Sequence, residues 1–155
     1  MKLVERVMQI DAEVHDVFAL LTDATEFVRW MAPTATLEPV AGGRITWSHV
    51  NGDVVSGEFV EIVPDRRVVF TFGWERTDVE VPPGSTTVEI DLRPIGGGTE
   101  LRLVHRGLAG PMADAHAGGW VNYLDRLAAV AEKRDPGADQ LAAERVPAAR
   151  SLGLA

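Results

Sequence analysis

The sequence predicts an α+β domain: an antiparallel sheet of about seven strands packed against one long carboxy-terminal helix, with two short helices after the first strand. Three observations carry this. Apolar residues recur with a helical period between Val14 and Trp30, the period drops to two from Thr34 to Gly107, and it returns to 3.6 after Pro111. The middle stretch is broken by turn residues at short intervals, so its strands follow one another as a meander.

Leu3 to Ile10 reads as the opening strand. Asp11 then offers a side-chain oxygen to cap a helix carrying Val14, Val17, Phe18 and Leu21 on one face. Asp23 with Glu26 resembles a capping box, which starts a second short helix with Phe27 and Trp30 before Pro33 ends it. Breaks at Gly42 and Gly43, Asn51 and Gly52, Pro64 and Asp65, Pro82 to Gly84, and Gly96 to Gly98 divide the next stretch into six strands. Asn51 with Gly52 predicts a tight primed hairpin turn, in which both residues take positive φ.

Alternation assigns the faces. Val68, Phe70, Phe72 and Trp74 share one face, as do Val88, Ile90 and Leu92, then Leu101, Leu103 and His105, and finally Ile45, Trp47 and His49. A histidine ends the apolar face of two different strands. The first strand and Val54 to Val63 mix apolar and polar residues on both parities, as a bulge or an edge position would produce. In the last helix, His116, Trp120, Leu124, Leu127 and Ala131 line up, flanked by Tyr123 and Val130. Gly118 and Gly119 each cost a helix about 1 kcal/mol relative to alanine, which asks for a reason such as close backbone approach to the sheet. Asp135, Pro136 and Gly137 stop the helix, so the domain spans residues 1–134 and 135–155 form a carboxy-terminal tail with an amphipathic hint at Leu141, Val146 and Leu152.

Composition removes several classes of function. The chain has 155 residues and no cysteine, so disulfides, thiolate metal sites and cysteine nucleophiles are all absent. A net charge of -8 disfavours nucleic acid and anionic membranes as partners, because both are normally met by a basic patch. Neither a membrane-spanning apolar run nor a basic-then-apolar leader pattern is present, and a cytoplasmic location is expected.

The strand ending in His105, Arg106 and Gly107 and the helix bearing His116, Trp120 and Tyr123 point imidazoles and apolar groups at the same space. Trp47, His49, Phe70, Phe72, Trp74, Ile90, Leu103, His105, His116, Trp120 and Leu124 are therefore the expected lining of a pocket. Three histidines that converge can bind a metal or move protons, yet no ligand motif is local in the sequence, and histidines hydrogen-bonded in a pocket wall are the commoner case. No metal or cofactor is assigned. Catalysis ranks below binding; were the chain an enzyme, His105, His116 and Tyr123 would be its candidates, with Glu61 if its strand parity turns it inward.

Trp30 to Pro33 followed by Gly42 and Gly43, Gly57 to Phe59 with Pro64 and Arg67, His105 to Leu108, and His116 to Gly119 with Trp120, Tyr123, Leu124 and Leu127 together resemble the START-like (SRPBCC) superfamily. The similarity is greatest to the branch of the carboxy-terminal domain of activators of heat-shock protein 90 ATPase. It implies a helix-grip (START/Bet v-like) fold, a curved sheet around the last helix, and a cavity that in related families holds lipids, sterols, polyketides or plant hormones. A hydrophobic small molecule is then the expected partner, and open sheet edges are compatible with a homodimer. A chaperone-regulating or other protein-interaction module is the second reading, against which the chain offers no room for the extra domain those activators use. A polyketide cyclase or hydrolase using the pocket histidines is the third.

Overall fold

The computed structural model describes residues 2–148. Its elements are β1 (Lys2–Ile10), α1 (Val14–Thr22), α2 (Ala24–Phe27), β2 (Thr34–Leu37), β3 (Arg44–Ser48), β4 (Val54–Val63), β5 (Arg67–Phe72), β6 (Thr86–Ile95), β7 (Gly98–Leu108) and α3 (Gly110–Ala131). All seven strands join one antiparallel sheet in the order β1-β7-β6-β5-β4-β3-β2. Each of β2 to β6 pairs with its successor, and β1 pairs with β7, so the link from β1 to β2, at opposite edges, runs through α1 and α2.

Pairing keeps the alternation in step across strands. Val88 sits opposite His105 and Phe70, and Ile90 opposite Leu103 and Val68, which brings the large residues of β5, β6 and β7 onto one face. Helix α3 lays Trp120, Leu124 and Leu127 on that face, while Val17, Leu20, Leu21 and Phe27 of the two short helices join the same core. Leu101, Leu103, Leu124 and Leu127 are fully buried, each side chain contributing about 1.5 to 3 kcal/mol by leaving water. The indole of Trp30 donates to the Leu20 carbonyl at 2.7 Å, which ties the end of the second short helix back onto the first.

The opposite face of the sheet is ionic. Arg67 pairs with Glu61, Glu89 and Asp91, and Arg106 pairs with Glu89. Glu61 thus points outward, not into the interior. Its strand slips register between Phe59 and Glu61, and β1 slips between Lys2 and Val4, which is why neither strand alternates cleanly. At Gly57 a Cβ would lie 1.8 Å from the Thr71 carbonyl oxygen, so β4 can approach β5 only without a side chain there.

Three local expectations are corrected. Asp11 does not cap α1; Glu13 occupies the N-cap without a side-chain bond, and the Asp11 amide donates to Glu132 at 2.9 Å. Asp23 does cap α2, accepting from the Thr25 amide at 2.9 Å, but Glu26 bonds Arg29 and the box stays half-formed. The β3–β4 connection is not a two-residue primed turn, since Gly52 has φ 93 and Asn51 is not among the residues with positive φ. The Gly52 amide donates to the His49 carbonyl at 3.0 Å and the His49 amide to the Asp53 carbonyl at 2.8 Å. Those bonds close a three-residue loop with glycine in the left-handed position.

Close approach does not explain Gly118 or Gly119, because a Cβ at either would meet nothing within 4 Å. Gly118 is exposed in the middle of α3. Gly118→Ala is therefore expected to raise stability by about 1 kcal/mol, measured by urea unfolding.

Helix α3 ends at Ala131 with Lys133 in the left-handed conformation and the Arg134 amide on the Ala129 carbonyl, a Schellman stop placed before Asp135 and Pro136. The chain that follows folds back onto the domain within the described residues. Leu141 and Val146 pack against the core, whereas Leu152 lies outside the described residues. Among the described residues no helix is long and apolar enough to cross a membrane.

Candidate functional site

Three indole–imidazole pairs organise the interior beside α3. Trp47 of β3 and His49 just after it turn inward, and the Trp47 Nε1–H donates to His49 Nε2 at 3.1 Å. Trp74 follows β5, and its Nε1–H donates to His116 Nε2 at 2.9 Å. Trp120, one helical turn beyond His116, donates to His105 Nδ1 at 3.0 Å. Phe72 stands among them, its ring centroid 4.6 Å from that of His105, 5.8 Å from those of Trp47 and His116, and 5.6 Å from that of Trp74.

These bonds fix the protons. Thr86 donates its hydroxyl to the Phe72 carbonyl at 2.7 Å and so accepts, at 2.8 Å, from Nε2–H of His105. His116 donates Nδ1–H to the Met112 carbonyl at 2.7 Å. Both rings are thereby neutral, in opposite tautomers, with both nitrogens engaged. At His49 the remaining nitrogen faces the Tyr123 hydroxyl at 3.3 Å, and that hydroxyl donates to Asp139 at 2.8 Å.

Burial dominates the electrostatics. His105 is fully enclosed, which holds its pKa down to about 3, with a smaller contribution from neighbouring His116. Burial also lowers His116, partly offset by its bond to the Met112 carbonyl. His49 is lowered by burial too, against the opposing pull of Asp139 and Asp53. Burial raises the Tyr123 phenol, and its bond to Asp139 adds to the effect.

A cavity of about 150 Å³ opens beside these pairs. Of the residues expected to line it, Trp47, His49, Phe72, Trp74, His116 and Trp120 are on its wall. Phe70, Ile90, Leu103, His105 and Leu124 are instead packed in the core behind it. Tyr123 lines the cavity, while Trp30 is buried elsewhere with its indole on Leu20. The sequence did not mark Met31, Asn51, Asp53, Ala115, Gly119 or the tail residues Leu141 and Glu144 to Pro147 as lining. The spacing of Leu141 and Val146 was a signal for the tail; nothing local marked Asp53. A second hollow of about 340 Å³ lies far from the histidines, among Gln9, Asp11, Thr99, Glu132 and the β6–β7 turn, with mostly polar walls.

A seven-stranded antiparallel sheet curved around a long carboxy-terminal helix, with two short helices after the first strand, is the helix-grip fold of the START-like superfamily. Within it, the chain belongs to the family of Activator of Hsp90 ATPase homolog 1-like proteins, whose pattern matches residues 11–132. An AHSA1-like protein from Rhizobium etli is 41% identical with a TM-score of 0.69, the match covering 94% of this chain and 91% of that one. CalU16 from Micromonospora echinospora is 26% identical with a TM-score of 0.67, covering 81% and 73%. The Aha1 dimer from Colwellia psychrerythraea is 18% identical with a TM-score of 0.72, covering 85% and 97%, a likeness of fold. No curated protein matches the sequence.

Proposed function

We propose that this protein binds a small hydrophobic or amphipathic molecule in the cavity beside α3, and that its histidines orient the walls and do not transfer protons. The supporting observation is the wall itself: the indoles of Trp47, Trp74 and Trp120 have their N–H groups spent on imidazoles, so aromatic faces are what they offer to the space. At about 150 Å³ the cavity suits one aromatic ring or a short branched chain, since apolar cavities of that size take up benzene. His49 and Tyr123 add polar groups that would meet the head of an amphipathic ligand.

The enzyme reading finds less support. An acid–base imidazole needs a free nitrogen and a pKa near neutrality, whereas His105 and His116 have partners on both nitrogens and are shifted down. For a protein-interaction module, the family supplies the argument; the exposed large apolar residues Leu3, Val7, Val40, Val50, Val60, Val63 and Val121 sit on several separate elements.

Fluorobenzene followed by ¹⁹F NMR tests the binding reading. Saturable binding is expected, and Gly119→Leu, whose side chain would enter the cavity, is expected to weaken it by about tenfold or more with the fold intact. Equal binding by that variant, or no saturable binding by the unaltered protein, contradicts the proposal. Native mass spectrometry of freshly purified protein then asks for a co-purified molecule.

A further inference from the structure

Between residues 138 and 147 the tail beyond α3 supplies part of the cavity wall. Leu141, Glu144, Arg145, Val146 and Pro147 all line the cavity, and residues 138–147 contain no helix or strand. The segment is held at two places. Near its start, Asp139 accepts from Asn122 at 3.0 Å and from the Tyr123 hydroxyl at 2.8 Å, both on α3. Near its end, the β3–β4 hairpin holds it: Asn51 donates to the Glu144 carbonyl at 2.6 Å, and Asp53 accepts from Arg145 Nε at 2.8 Å and from the Val146 amide at 3.2 Å.

Asp53 is the centre of the second attachment. Its side chain is 1% exposed, and the partner of its carboxylate that does not come from the tail is Arg76, at 3.3 Å. Arg76 also donates to the Val146 carbonyl at 2.7 Å, so the hairpin and the segment after β5 grip one short stretch from both sides. A buried carboxylate stripped of every partner would be costly to expose or leave, but here Arg76 and entering water remain when the tail departs. Among the described residues no backbone–backbone bond joins the segment to the rest of the domain; its own, Ala142 to Asp139 and Glu144 to Leu141, are local turns that can leave with it. A stretch with little apolar burial and few backbone bonds opens at lower cost than the elements beneath it.

We infer that residues 138–147 are a gate over the cavity, latched by Asp53 and hinged at Asp139, whose release admits and discharges the ligand. This rests on the ligand-binding reading of the same cavity. The latch is polar and can be replaced by water, the wall it carries is apolar through Leu141 and Val146, and both border the cavity a ligand would occupy. Gates of this kind set exchange rates more than they set contacts.

Two variants of the full chain test it. Arg145→Ala removes a half-exposed side chain with little risk to folding, and Asp53→Asn keeps the shape of the latch without its charge. Two readouts are combined: acrylamide quenching of the tryptophans, which needs no ligand, and fluorobenzene exchange by ¹⁹F NMR. In both variants quenching is expected to rise about twofold and exchange to quicken about tenfold, with thermal unfolding of Arg145→Ala unchanged. Unchanged quenching, or normal fluorobenzene binding with an unchanged exchange rate, overturns the gate. Raised quenching in a protein that never binds fluorobenzene overturns the binding reading and leaves the latch standing.

Discussion

His105→Leu is expected to destabilise the protein by about 2 kcal/mol at neutral pH and by close to nothing near pH 5. At neutral pH the variant leaves the Trp120 indole N–H without its acceptor in a fully buried position, and an unpaired buried donor costs about 1 to 3 kcal/mol. Thr86 is spared, because its own proton stays on the Phe72 carbonyl. Acid reverses the balance. The unfolded chain takes up a proton on His105 below its ordinary pKa of 6.5, while the folded protein refuses it down to about 3. Native stability is thus fully present above 6.5 and declines as pH falls through the interval between the two values. At pH 5 this single group removes about 2 kcal/mol from the unaltered protein, and nothing from a variant that lacks it. His116 pulls in the same direction in both proteins. Urea unfolding at several pH values reads the result: the variant's profile should be flatter and should meet the parent's near pH 5, whereas parallel profiles would mean that His105 titrates freely.

Phe72→Ala has the largest expected effect on both stability and binding. Phe72 is 3% exposed and touches the rings of Trp47, Trp74, His105, His116 and Trp120, so its truncation removes the packing partner of all three indole–imidazole pairs. Phenylalanine-to-alanine changes in cores cost about 3 to 5 kcal/mol. Because Phe72 also lines the cavity, the space it vacates joins the existing hollow. The variant should then bind a two-ring probe such as naphthalene that the parent excludes. Phe72→Leu should show the same trend at about 1 to 2 kcal/mol and without the gain in ligand size. A large loss of stability with no change in the size of molecule accepted would place Phe72 in the core alone.

Which parts were legible follows from what periodicity encodes. A period of two tells which face of a strand is buried, and every apolar face read that way, from Ile45 and Trp47 to Leu101 and Leu103, is buried in the structure. The mixed parity of β1 and β4 likewise corresponds to two register shifts. Parity does not give depth. Phe70 and Phe72 share a face, yet one is sealed in the core and the other meets the cavity, because the position of α3 along the strands decides between them. Nor does it give partners: that each inward histidine takes an indole N–H from a tryptophan depends on register between strands and on the turn of α3.

Local rules failed where a tertiary partner outbid them. Asp11 has the chemistry of a cap but lies at the end of β1, where Glu132 from beyond α3 claims its amide. Asn51 and Gly52 have the composition of a primed turn, yet the loop spans three residues, and the Asn51 side chain is spent on the Asp53 amide and the Glu144 carbonyl. The tail was least legible of all, since its polar attachments to Asp53, Asn51 and Tyr123 span large sequence separations and leave no periodic trace.

The central claim, that the interior histidines hold indoles and stay neutral beside a binding cavity, is tested most directly by ¹H–¹⁵N NMR of the imidazoles between pH 8 and pH 5. The account predicts the Nε2–H tautomer for His105 and the Nδ1–H tautomer for His116, with His105 staying neutral across that range and His116 taking up a proton only below the ordinary histidine value. An imidazolium at either position with a midpoint near 6.5, the ordinary histidine value, would contradict it and return the site to acid–base chemistry.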